Sequence, residues 1–95
     1  MYSPLMPRND SVLSKKKVAM EHLKYAYERG MEKTYCPSEV ARSIFPNEWR
    51  KQMDLVRQVA DELVASGELV TMQFGEIISQ KPSMAKGPIR LRKLK

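Results

Sequence analysis

The chain offers one thiol and one imidazole, Cys36 and His22, as candidates for covalent or metal chemistry. Cys36 opens the run Cys36-Pro37-Ser38-Glu39, which reads as a helix entrance, and the positive end of a helix favours a thiolate. No histidine stands near it in sequence, and His22 belongs to a different predicted helix, so the favoured reading is a capping cysteine with an inert sulfur. A redox-sensing regulator built on Cys36 would need an accessible thiol that alkylates quickly. One cysteine and one histidine cannot complete a zinc site within the chain, and a lone cysteine excludes an internal disulfide. Glycine-rich phosphate loops and nucleophile elbows do not occur, and Glu39 and Glu48 do not form a recognisable acid/base pair. The expectation is a protein without enzyme activity, cofactor or metal.

The remaining chemistry is electrostatic. The 95 residues carry 17 Lys+Arg against 11 Asp+Glu, a net charge of +6. Residues 81–95 hold Lys81, Lys86, Arg90, Arg92, Lys93 and Lys95 and no acid, which equals the whole surplus. Such a basic end on a neutral body is a candidate foot for phosphate, on nucleic acid or on anionic lipid, or else a solubilising tail, and charge alone does not separate them. Within it Ile89-Arg90-Leu91-Arg92 alternates apolar and basic, as a half-buried edge strand does. Both arginines then project outward about 7 Å apart, suited to successive phosphates, with Lys86, Lys93 and Lys95 around them. The competing reading is a charged edge that discourages aggregation.

A second basic group, Arg50, Lys51 and Arg57, falls on a predicted third helix whose outward side would face a groove. Arg50 and Arg57 are seven residues apart and share a helical face, but Asp54 and Asp61 share it too. Residues 31–67 carry five basic and six acidic groups, so base reading there is less favoured than phosphate contact at the C-terminus. For Arg42, Arg57 and Arg90 the alternative is internal pairing with Glu39, Asp54 or Asp61. Trp49 and Tyr35 are of a type that stacks on bases, but Trp49 heads an apolar stripe and is read as core.

The elements that must position these groups follow from periodicity and punctuation. Residues 1–10, with Pro4 and Pro7, read as an irregular arm, and 11–95 as one domain. A first helix starts near Asp10 or Ser11, carries an apolar stripe of Ala19, Met20, Leu23, Ala26 and Tyr27, and ends at Gly30. Pro37 suits the first position of a second helix, which Pro46 stops. Asn47 is the expected cap of a third helix running through Ser66 to Gly67, with Trp49, Met53, Val56, Ala60, Leu63 and Val64 at spacings of three and four. Glu68–Phe74 and Glu76–Gln80 predict a hairpin turning at Phe74-Gly75, followed by a loop over 81–88 and the final basic strand. Three helices, a hairpin wing and a short last strand make an α+β fold, a winged helix-turn-helix.

The stretch Tyr35-Cys36-Pro37-Ser38-Glu39-Val40-Ala41-Arg42, with Trp49-Arg50, Val56-Arg57, Gln73 and Gly75, and Gly87-Pro88-Ile89-Arg90, resembles a small bacterial family of winged-helix type whose function is unknown. The resemblance runs from the first helix to Arg92. It implies the fold and a bacterial cytoplasmic setting, and no activity. The family pattern has a basic residue after the wing glutamine, where this chain has Phe74.

Met1–Arg8 has no apolar run of a secretory signal, and no stretch of about 20 apolar residues is present to span a membrane. The expectation is a cytoplasmic protein that binds nucleic acid, DNA favoured, through Arg50, Lys51, Arg57, Lys86, Arg90, Arg92 and Lys93. The alternative is a protein-interaction or adaptor module, or a homodimer, without nucleic acid.

Overall fold

Gly30 ends the first helix because its φ of 76° turns the chain out of the helical path while its N–H still bonds the Ala26 carbonyl at 2.9 Å. The computed structural model describes residues 8–95, with side chains from residue 13 onward. The elements are α1 (Arg8–Arg29), α2 (Pro37–Ile44), α3 (Met53–Ala65), β1 (Leu69–Gln73), β2 (Glu76–Ile78) and β3 (Arg90–Lys93). Residues 1–7 of the expected arm lie outside the described residues, and residues 8–10 belong to α1.

The buried face of α1 differs from the expected stripe. Val18, His22 and Ala26, four residues apart, are fully buried, and Ala19, Leu23 and Tyr25 flank them. Met20 and Tyr27 are 71% and 64% exposed. The face turns toward His22 because both its ring nitrogens find partners inside. Nε2–H donates to the Val56 carbonyl at 2.9 Å, and Nδ1 accepts from the Tyr35 hydroxyl at 2.8 Å. A polar ring with both nitrogens satisfied packs as a core residue.

Glu39 caps α2. Its carboxylate accepts the Cys36 N–H at 2.8 Å, and Pro37 occupies the first turn, where no N–H partner is needed. The third helix starts later than expected. Residues 46–52 form successive tight turns, with Glu48 N–H on Phe45 O, Lys51 N–H on Glu48 O and Gln52 N–H on Trp49 O, all at 3.0–3.1 Å. These bonds close after three residues, tighter than an α-helix, so Asn47 does not cap α3 and Trp49, Arg50 and Lys51 precede it.

The sheet has the order β2-β1-β3, antiparallel throughout. Phe74 and Gly75, with φ of 52° and 81°, make the two-residue turn between Gln73 and Glu76, the positive-φ geometry that matches strand twist. Tyr35 adds one bridge beyond β3, exchanging hydrogen bonds with Leu91 at 2.8 Å in both directions. Leu69, Thr71 and Leu91 share the sheet face that closes the core against Val40, Ala41, Val56, Val59, Ala60 and Leu63. The result is three helices followed by a small three-stranded sheet, an α+β fold compatible with a winged helix.

Candidate nucleic-acid interface

The strand at the basic end spans Arg90–Lys93 rather than Ile89–Arg92, and the expected alternation holds except that Arg92 is not fully outward. Ile89 and Leu91 are buried, Arg90 is exposed, and Arg90 and Arg92 share the sheet face opposite Leu91. Arg90 is steadied by Thr34: its Nε–H donates to the Thr34 hydroxyl at 3.0 Å and an Nη2–H to the Thr34 carbonyl at 3.4 Å. Arg92 is half-buried, and its Nε is buried without a hydrogen-bond partner. Lys93, two residues past Leu91, stands on the other face and lies over the Tyr27 ring at 4.2 Å. The strand therefore sends its cations in two directions, and Lys93 does not extend the Arg90–Arg92 surface.

Arg57 is engaged within the fold. Its guanidinium donates to three carbonyls of the loop after β2: Pro82 at 3.3 Å, Ala85 at 3.1 Å and Gly87 at 3.2 Å. One turn on, Asp61 accepts from the backbone N–H and hydroxyl of Ser83. Gln73 holds the loop from the hairpin, donating to Lys86 O at 2.7 Å and Pro88 O at 3.3 Å. Arg57, Asp61 and Gln73 thus strap residues 82–88 across α3. The expectation for Arg57 is a groove contact, with a carboxylate pair as the alternative; its partners are backbone carbonyls instead.

The strap changes what α3 presents. Its exposed positions are Asp54, Gln58, Glu62 and Ala65, and its one cation is Arg57. Arg50 and Lys51 are exposed, but on the turns before the helix, so Arg50 and Arg57 do not share a helical face. An acidic outward face is poorly suited to lie among phosphates.

Arg42 and Arg50 both stack on Trp49, with Cζ 4.2 Å and 4.9 Å from the ring centroid. Trp49 is only half-buried, packed against the core on one part of its surface. Glu39, the expected partner of Arg42 or Arg90, is taken by Arg29 in two bonds of 2.8 Å and 2.6 Å. That pair and the Cys36 N–H hold the Glu39 carboxyl down at about 2, against burial, with Arg90 adding a smaller share. Arg29 also donates to Thr34 O at 3.2 Å. Arg29 was not singled out from sequence. Its place in the last turn of α1, seven residues before Cys36 at the predicted helix entrance that carries Glu39 at its third position, is the signal that points to it.

Cys36 is half-buried, and its sulfur accepts the Ser38 hydroxyl at 3.1 Å. His22 is committed to Tyr35 and Val56, so no Cys–His pair forms. Among the described residues no helix is long and apolar enough to cross a membrane.

Three helices, a β-hairpin and a strapped return loop define a small α+β domain spanning nearly all the described chain. The family described as "Protein of unknown function (DUF3253)" matches residues 15–94, and the chain belongs to it. No curated protein matches the chain. Several residues that carry the sequence pattern have structural tasks here: Glu39 caps α2, and Arg57 and Gln73 hold the Gly87-Pro88 loop.

Proposed function

We propose that this domain is a non-enzymatic cytoplasmic winged-helix protein that binds nucleic acid, DNA favoured, by its phosphates and without base reading through α3. The observation that supports this reading is the set of cations left without a carboxylate. The ion pairs among the described residues are Lys15–Glu62, Lys24–Glu21 and Arg29–Glu39. Arg50, Lys51, Lys86, Arg90, Arg92 and Lys93 enter none of them. Arg57 is withdrawn from the contact set because its donors are spent on the loop. Fluorescence anisotropy with duplex DNA, single-stranded DNA and RNA at two salt concentrations tests the reading. Binding is expected to weaken with salt at a log–log slope of about −0.9 per duplex phosphate contacted, with little dependence on sequence. Absence of binding to all three polymers at low salt would reject it.

A second reading, a protein-interaction module or homodimer, is favoured by Leu13, Met20 and Tyr27. They lie seven residues apart on α1 and are 57%, 71% and 64% exposed. Sedimentation that shows association lost on Met20→Lys would favour it.

A further inference from the structure

We infer that Arg42, Trp49 and Arg50 form a grip for a backbone phosphodiester of the bound polynucleotide, a placement that rests on the reading above and adds Arg42 to it. The reason is how the arginines of the fold use their donors. Arg29, Arg57 and Arg90 give N–H groups to Glu39, to loop carbonyls and to Thr34. Arg42 and Arg50 give none to any protein acceptor among the described residues, yet both guanidiniums lie over one indole. Stacking fixes a guanidinium through its face and leaves its N–H edge free, which is the edge that meets a phosphate in two parallel bonds.

The two guanidiniums share one anchor, the indole of Trp49. The two Cζ atoms cannot be farther apart than the sum of their distances to the shared centroid, 9.1 Å. The 46–51 turns form a half-open cleft of about 180 Å³, lined by Pro46, Asn47, Glu48, Trp49, Arg50 and Lys51, and Arg42 reaches the same indole from α2. That is below the roughly 300–1,000 Å³ of small-molecule pockets and has room for a phosphoryl group. Lys51 supplies a third cation, and Glu48 is the one acid of the cleft, exposed and outside any ion pair among the described residues. The turns before α3, rather than α3 itself, meet the polymer.

Trp49 is the chain's single tryptophan, so its emission reports this site alone. The experiment titrates the full chain with a 20-base-pair duplex and with inorganic pyrophosphate, reading Trp49 emission and, for the duplex, anisotropy. Both ligands are expected to change Trp49 emission saturably, pyrophosphate more weakly. Arg42→Gln and Arg50→Gln are each expected to weaken duplex binding about tenfold and to lower the salt slope by about 0.9. Both residues are exposed, so the variants are expected to keep the parent's thermal midpoint, and Lys17→Gln, on the exposed side of α1, serves as a charge-matched control. Duplex binding that leaves Trp49 emission unchanged and survives Arg42→Gln/Arg50→Gln overturns the grip and leaves the nucleic-acid reading standing. A pyrophosphate response without duplex binding overturns the nucleic-acid reading and reduces the grip to an anion site. Silence toward both ligands rejects both.

Discussion

The imidazole of His22 donates to the carbonyl of Val56 at 2.9 Å, a bond from the middle of α1 to the first turns of α3 with no water-accessible surface on the ring. Because that carbonyl can only accept, Nε2 carries the proton, and Nδ1 takes the Tyr35 hydroxyl hydrogen. Burial disfavours the imidazolium and lowers the His22 pKa from 6.5 to about 4, the Val56 bond opposing in part. Burial likewise pushes the Tyr35 hydroxyl well above its usual range, so it stays a donor.

The sign of the linkage follows. The unfolded chain takes up a proton near pH 6.5 and the folded chain only near 4, so His22 contributes fully above 6.5 and the contribution drains as pH falls toward 4. About 2 kcal/mol of stability is expected to be lost between pH 7 and pH 5. Urea unfolding at those two pH values measures it. In His22→Gln the difference should nearly vanish on a less stable background, and an unchanged pH dependence would place its origin elsewhere.

Glu39 governs the lower limb. Arg29 chiefly, and the Cys36 N–H, hold its pKa at about 2 rather than 4.5, so its contribution is present above 4.5 and lost as pH falls through 2. Glu39→Gln removes the ion pair and weakens the cap of α2, a cost of roughly 1 kcal/mol at neutral pH by analogy with other caps. Circular dichroism followed from pH 5 to pH 2 should show a flatter acid limb in the variant. An acid limb as steep as the parent's would mean that other carboxylates carry it.

The strap over α3 makes a local prediction. Arg57→Lys keeps the charge but cannot reach three carbonyls at once, and Arg57→Ala reaches none. Both should free the 82–88 loop, and the alanine variant should lose about 2 kcal/mol or less, in the range of hydrogen bonds to a charged group. Trypsin cleavage after Lys86 is the direct readout, since Pro82 blocks cleavage after Lys81, and it is expected to accelerate in the order parent, lysine, alanine. Equal cleavage rates would show that Asp61 and Gln73 hold the loop unaided.

How much of this was legible depended on whether a residue's partner was near in sequence. The entrance at Cys36-Pro37-Ser38-Glu39, the turn at Phe74-Gly75 and the alternation of Ile89 to Arg92 are local patterns, and each stands in the fold, with Arg92 half-buried rather than fully outward. His22 was invisible as core, because its satisfaction comes from Tyr35 and Val56, 13 and 34 residues away, and without them a histidine counts as polar. The same holds for Arg57, whose loop partners lie 25 to 30 residues on. The start of α3 was misplaced for a different reason. Trp49, Met53 and Val56 fit a helical spacing, and three-residue turns preserve nearly the same spacing, so periodicity alone does not separate the two.

Phe74 supplies the last prediction. It sits at φ of 52° with its side chain 88% exposed, an aromatic residue in a region that glycine and asparagine occupy at little cost. With so little of the ring buried, packing does not offset that strain. Phe74→Asn is therefore expected to raise stability by about 1 kcal/mol, the scale of a left-handed residue relieved, with the hairpin register unchanged. Thermal unfolding measures the gain. Residues under strain often cluster where a surface is used, and an aromatic at a hairpin tip has the shape of a wedge between base steps. If Phe74 is used that way, the stabilised variant should bind duplex DNA more weakly at every salt concentration while its salt slope stays the same. A stabilised variant with unchanged affinity would leave Phe74 outside the interface, and a destabilised one would show that the ring packs in solution after all.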